Sequence, residues 1–355
     1  MRFFLLKCMF IVGIISVIIG VIVFVDVFNV FHYNDIRFTD AEPNKNYVKT
    51  KYVIKNPDKF NAFIFGSSRV GNIPSVGLPR YNHSNEKLSW YNMTYSMGVP
   101  AEHLETIKTF IKNNVKIKYI VIGVDNISAS TNPNIHKNEL LRKPYQLMEI
   151  DPVNFYWSYI WNMADIDSIK HILPQVLRNY INKDIKAKNL FYKFGVSPGN
   201  EDMNIPNKVD EKKFELNPVS PYTYKNVMSD LKEIVEICRD KGIELIIFTS
   251  PIYERGYLTS VKHGQYLLFL RDLAQIYPYY NFSGLNRFTK DKRYYFDWSH
   301  YRPYVGREIE KSIWGLDHQS DEKIEKLEYS KNTGFGMKVD HNNIDILITL
   351  LQNQL

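Results

Sequence analysis

The hydrophobic pattern of the chain changes character several times, and each change predicts an element. From Cys8 to Val25 the chain reads CMFIVGIISVIIGVIVFV, and after Asp26 the apolar character resumes through Phe31. This charge-free run of about 18 residues, at about 1.5 Å rise per residue, approaches the roughly 30 Å hydrocarbon core of a bilayer. It is apolar on every face, which distinguishes it from an amphipathic surface helix. No small-residue cleavage site follows it, so it reads as an uncleaved anchor and not as a signal peptide. Arg2 and Lys7 flank its N-terminal side, and the positive-inside rule places that end in the cytoplasm and the rest of the chain outside it. Cys8 precedes the apolar core, which does not favour lipidation.

Beyond the anchor the rhythm alternates between short, continuous apolar runs and amphipathic stretches. Asn61–Phe65, Leu88–Tyr95, Ile117–Asp125 and Ile243–Thr249 predict four strands, the first stopping at Gly66 and the last at Ser250-Pro251. Pro100 opens a helix whose Leu104, Ile107, Phe110 and Ile111 share one face, and Tyr222–Lys241 predicts another, stopped by Gly242. Further helices are expected at about 265–275 and 303–314, with an apolar run at Ile344–Leu351 predicting a terminal helix. Strands separated by helices predict an α/β fold, a parallel sheet with helices on both faces in three layers, preceded by one transmembrane helix.

The predicted division is an anchor at 1–32, a polar linker at 33–57, an α/β domain at 58–316 and a C-terminal extension at 317–355. Residues 127–217 interrupt the strand rhythm with aromatic-rich helical segments, including Asn154–Trp161. This insertion reads either as a cover or partner surface over the site, or as aromatic packing onto the sheet.

Composition narrows the classes. The chain has 355 residues, 45% hydrophobic, enough for a real core and against disorder. Its net charge of +7 is spread along the chain and not gathered into basic runs, which disfavours nucleic acid as a partner. Two cysteines, Cys8 and Cys238, exclude a disulfide framework or a multi-cysteine zinc site. The histidines other than His300 show no metal-ligand spacing, and neither GxGxxG nor a Walker motif occurs, so no metal, nucleotide or other cofactor is expected.

The candidate chemistry lies at strand ends. Gly66-Ser67-Ser68-Arg69 directly follows the first strand, where a serine hydroxyl faces outward and a following helix start offers N–H groups to an oxyanion. A simple turn or capping role is the alternative. Far downstream, Asp297-Trp-Ser-His300 spaces a carboxylate and an imidazole so that the acid orients the base. The alternative there is that Asp297 caps the next helix. Arg69 reads equally as a bidentate donor to a substrate phosphate or carboxylate and as an ion pair that fixes the turn.

Taken in order, Gly66-Ser67-Ser68, Tyr91-Asn92 to Gly98, Gly123-Val-Asp-Asn126 and Asp297-x-x-His300 resemble the blocks of the SGNH (GDSL-like) hydrolase superfamily. With the N-terminal anchor they resemble its envelope branch, which includes the teichoic acid D-alanyl transfer protein and the SGNH proteins of exopolysaccharide O-acetylation. The resemblance covers about 58–126 and 220–315 and implies an SGNH, flavodoxin-like sheet. It implies Ser68 as nucleophile, His300 as base and Asp297 as its orienting carboxylate, with Ser67 where many relatives have Asp. It implies Gly98 as the oxyanion glycine. Asn126 lies one place later than the usual Gly-x-Asn, so either a bulge lets it donate or that donor is missing. The implied activity is serine acyl transfer or ester hydrolysis on a cell-envelope glycopolymer, beside a multi-pass membrane O-acyltransferase that supplies the acyl group. A catalytically silent polymer-binding or assembly protein on the same fold is the rival reading.

Overall fold

The computed structural model describes residues 1–162, 166–182, 185–215, 227–263, 265–315 and 329–355. The predicted start of the Tyr222–Lys241 helix, the end of the insertion at 216–217 and the first part of the C-terminal extension lie outside the described residues. The chain divides into two units, Met1–Lys55 with Asn134–Asn189, and Asn56–Pro133 with Leu190–Leu355.

The first unit opens with helix α1 (Arg2–Val25), whose most apolar window has a mean hydropathy of 3.1 and which is long and apolar enough to cross a membrane. Asp26 ends it in the left-handed conformation, at φ 42°. The Asp26 carboxylate then accepts hydrogen bonds from the N–H groups of Val30, Phe31 and His32 at 2.8–2.9 Å, and lies 3.0 Å from His32 Nδ1. A charge within an apolar run is thereby satisfied by the chain folding back on it. Part of the predicted linker is helical: α2 (Lys45–Ile54) is capped by Asn44 and buries Tyr47, Val48 and Val53. Within the same unit follow α5 (Tyr145–Ile150), α6 (Pro152–Asn162) and α7 (Ile166–Asn182), and α8 (Ile185–Phe194) runs across the boundary between the units. The aromatic residues of the insertion pack here, with the Tyr47 ring 4.9 Å from Phe155 and the Phe28 ring 5.9 Å from Tyr159.

The second unit is α/β, built on a six-stranded, mostly parallel sheet in the order β2-β1-β3-β4-β5-β6. Its strands are β1 (Ala62–Phe65), β2 (Trp90–Asn92), β3 (Tyr119–Val124), β4 (Glu244–Thr249), β5 (Tyr279–Asn281) and β6 (Met337–Val339). The first four fall within the predicted runs; β1, β3 and β4 are shortened slightly and β2 to three residues. Among the described strands of this sheet, β5 and β6 alone pair antiparallel. Helix α3 (Pro100–Lys112) buries Leu104, Ile107 and Phe110 and packs on α9 (Val227–Lys241), which Gly242 ends at φ 65°. The other helices are α4 (Asn126–Ser130), α10 (Glu254–His263), α11 (Tyr266–Ile276), α12 (Pro303–Trp314) and the predicted terminal helix α13 (Ile344–Gln352).

No α-helix follows β1. The predicted helix start is a single 3-10 turn, Val70–Asn72, because Pro74 follows closely and disfavours helical backbone just before it. The parallel strands run 2-1-3-4-5, so the winding direction reverses between β1 and β3. In sheets of this kind the carboxyl ends at the reversal form a crevice suited to ligands.

Glu310 of α12 is fully buried, with one oxygen 3.2 Å from Arg307 Nη1 and the other without a hydrogen-bond partner among the described residues. A side chain at Gly77 would fall 1.8 Å from it, so the loop backbone closes directly over the carboxylate. Burial pushes the Glu310 carboxyl up to about 8, against the opposing pull of Arg307. The folded state therefore holds the proton more tightly than the unfolded chain, and the resulting stability is lost as pH rises from the ordinary carboxylate range through about 8. Glu310→Gln is expected to flatten this dependence, so that the variant gains in melting temperature over the wild type at pH 8.5 relative to pH 5. Equal differences at both pH values would contradict the assignment.

Candidate active site at the carboxyl ends of β1 and β3

Four buried aliphatic and aromatic side chains carry β1 to Gly66, where the chain turns sharply at φ 152°. A Cβ on Gly66 would sit 2.5 Å from Val70 Cγ2 and 2.8 Å from the Gly123 carbonyl. Only glycine lets β1 approach β3 this closely and still turn. The turn presents Ser68, which is partly exposed, while Ser67 and Arg69 point into the protein and are 3% and 1% exposed.

The second part of the site comes from a loop between Tyr295 and Tyr301, which form an antiparallel bridge. Within it the Asp297 carboxylate accepts the N–H groups of Ser299 at 2.7 Å and His300 at 2.8 Å, a tight turn that delivers the imidazole back to the acid. His300 Nδ1 lies 2.9 and 3.0 Å from the two Asp297 oxygens. Its Nε2 lies 2.8 Å from Ser68 Oγ. Burial alone would raise the Asp297 carboxyl, but the hydrogen bond and charge of His300 and the two N–H donors outweigh it and hold the group below the usual carboxylate range. Asp297 does not cap α12; Arg302 occupies that position.

The three residues Ser68, His300 and Asp297 thus stand in one hydrogen-bonded chain, 232 residues apart in sequence at the first link. The side chains of His300 and Asp297 are about one third exposed, so the base is accessible from solvent. The geometry allows His300 to take a proton from Ser68 while Asp297 fixes the ring and its tautomer.

Arg69 departs from one of its two sequence readings. Its guanidinium is buried, and four contacts hold it within the fold. Nε donates to the Ser299 carbonyl at 2.9 Å and reaches Ser299 Oγ at 3.2 Å. Nη1 donates to Asn126 Oδ1 at 2.6 Å and lies 3.4 Å from Asp125 Oδ2. Asp125 also accepts from Ser67 Oγ at 2.6 Å and caps α4 through Ser128. The ion-pair reading is the one realised, and it joins the turn after β1, the end of β3 and the histidine loop.

The expected oxyanion donors are largely committed elsewhere. Asn126 is 4% exposed; its oxygen accepts from Arg69 and its nitrogen donates to Ser260 Oγ of α10 at 2.6 Å. Arg69 and Ser260 thus draw the amide inward. Gly98 lies against the turn, as a Cβ there would fall 2.5 Å from the Gly66 carbonyl, but its own N–H donates to the Tyr95 carbonyl at 3.2 Å. The Ser68 N–H makes no hydrogen bond among the described residues. The residues that sequence reasoning missed are Asp125, Ser260 and Ser299. Asp125 alone had a legible signal, since it ends a buried strand beside the one that carries Ser67.

Among the described residues no group of three or more His, Cys, Asp or Glu is placed to hold a metal ion. Compared with known family models and with curated proteins, the chain matches none.

Arg69→Ala leaves Asp125, which is fully buried, without its cation. Removing one member of a buried pair typically costs about 3–5 kcal/mol. The expected outcome is a loss of that order in chemical denaturation. A loss below about 0.5 kcal/mol, usual for a surface change, would contradict the bracing role.

Proposed function

We propose that this protein is an SGNH-like serine acyltransferase or esterase, anchored by α1 with its N-terminus in the cytoplasm and its catalytic unit outside, acting on acyl groups of a cell-envelope glycopolymer. The single observation that carries the chemistry is the chain from Ser68 Oγ to His300 Nε2 and from His300 Nδ1 to Asp297. Its place at the β1/β3 reversal supports the same reading, as does the resemblance of the four blocks. A three-layer arrangement of helices around the sheet belongs to this reading too.

In the proposed reaction Ser68 Oγ attacks an acyl carbonyl and His300 Nε2 accepts its proton. Asp297 stabilises the imidazolium, and the Ser68 N–H is the donor left to meet the oxyanion. His300 then returns the proton to the leaving oxygen as the tetrahedral intermediate collapses to an acyl-serine. A sugar or polyol hydroxyl, or water, takes the acyl group by the reverse sequence, with His300 as base again. A multi-pass membrane O-acyltransferase is the proposed acyl donor.

One observation favours the silent, polymer-binding reading: Asn126 and the Gly98 N–H are already bonded. Loss of one oxyanion donor costs on the order of a hundredfold or more in rate. The full chain in detergent, treated with a serine-reactive fluorophosphonate and with p-nitrophenyl acetate, distinguishes the two. Labelling and acetate release that fall by a thousandfold or more in both Ser68→Ala and His300→Ala, with Asp297→Asn also severely impaired, support the enzyme. A folded wild-type protein that reacts no faster than Ser68→Ala supports the silent reading.

A further inference from the structure

Helix α6 is apolar on two sides. One side, Phe155 and Tyr159, is buried in its unit. The other carries Val153, Trp157 and Trp161, spaced four residues apart and 77%, 49% and 70% exposed. The two indole rings stack with centroids 6.4 Å apart. No charged residue occurs in the eleven residues of the helix. An exposed stripe of this kind is uncommon on a surface that faces only water.

The position of α6 indicates what covers the stripe. The Tyr156 ring lies 5.5 Å from Phe31 and the Tyr159 ring 5.9 Å from Phe28. One residue further, Ile160 joins the cluster of Ile22 and Val25 at the end of α1. Along α6 the contacts therefore step back from residue 31 to residues 22–25, toward the candidate span. Trp161 follows Ile160 directly on the helix, next to the residue that joins the cluster at the end of α1, and Trp157 lies one turn before it. Tryptophan is enriched at this level of a membrane, where its ring meets the acyl boundary and its N–H meets the headgroups.

We propose that the Val153-Trp157-Trp161 face of α6 is a membrane-interface surface, seated in the headgroup region of the bilayer that α1 crosses. The partner is lipid, and the inference rests on the proposed anchoring by α1. Docking this face holds the first unit against the membrane at two places, the span and the aromatic stripe.

The test uses the full chain reconstituted in phosphatidylcholine vesicles, with and without lipids brominated at carbons 6 and 7. Trp157 and Trp161 are two of five tryptophans. The expected result is a bromolipid-dependent loss of emission in the wild type that is abolished in Trp157→Phe/Trp161→Phe, with no change in melting temperature, since both side chains are exposed. Equal quenching of wild type and double variant overturns the proposal.

A nitroxide on Cys8 reads the anchor separately. Cys238 is buried and burial pushes its thiol up to about 12, so a thiol reagent selects Cys8. Cys8 accessible to oxygen and shielded from a water-soluble nickel relaxant, without selective tryptophan quenching, overturns the docking surface while α1 remains an anchor. Cys8 open to the nickel relaxant removes the anchor reading and, absent the quenching, the docking surface with it. Selective quenching with an aqueous Cys8 overturns the proposal as stated, since the face then meets a bilayer that α1 does not cross.

Discussion

The buried Arg69 guanidinium holds together the parts from which the candidate site is made. It follows the serine turn directly, and through Ser299 it grips the loop that carries His300, while Asp125 and Asn126 secure it to the end of β3. Such a cation is costly to bury, and one of its nitrogens has no hydrogen-bond partner among the described residues. Its partners come from two segments, 57 and 230 residues along the chain from it at Asn126 and Ser299. The 2.8 Å contact between Ser68 and His300 is therefore a consequence of this network as much as of the two side chains.

Glycine plays the complementary part. Gly66 and Gly98 remove side chains where the ends of the first two strands and the end of β3 converge, so backbones meet at distances no Cβ would permit. Arg69 then fills the remaining space with a charge that has defined partners. Close backbone approach and a directed ion pair are two means to the same end, a turn with little freedom to move its exposed serine.

What was legible in the sequence follows from the range of the forces involved. The runs of β1 and β3, and the last three residues of β4, are buried on both faces and so read as continuous apolar segments. Strands β5 and β6 are three residues each and carry no pattern of their own; pairing alone makes them strands. Helix α2 reads as polar because lysines recur in it, and its burial comes from aromatic residues about a hundred positions later. The serine turn and the Asp297–His300 pair were legible because turn chemistry and a spacing of three are local, whereas the choice of Ser68 over Ser67 came from the resemblance. Arg69 was ambiguous for the opposite reason: an arginine's role depends on what it meets, and its partners are remote in sequence.

The first unit is built from two stretches of chain with a part of the sheet unit encoded between them. Asn44 donates to the Tyr159 hydroxyl at 2.7 Å, and the Tyr47 ring lies against Phe155. During synthesis, α2 therefore emerges about a hundred residues before the groups that cover it. At roughly 5–20 residues per second this is an interval on the order of ten seconds. Through that interval Tyr47 and Val48 lack their native neighbours, and β1, β2 and β3 are made before the earlier segment has anything to fold against. The nascent α2 must therefore wait, uncovered, while the ribosome makes the strands that lie between the two halves of its unit.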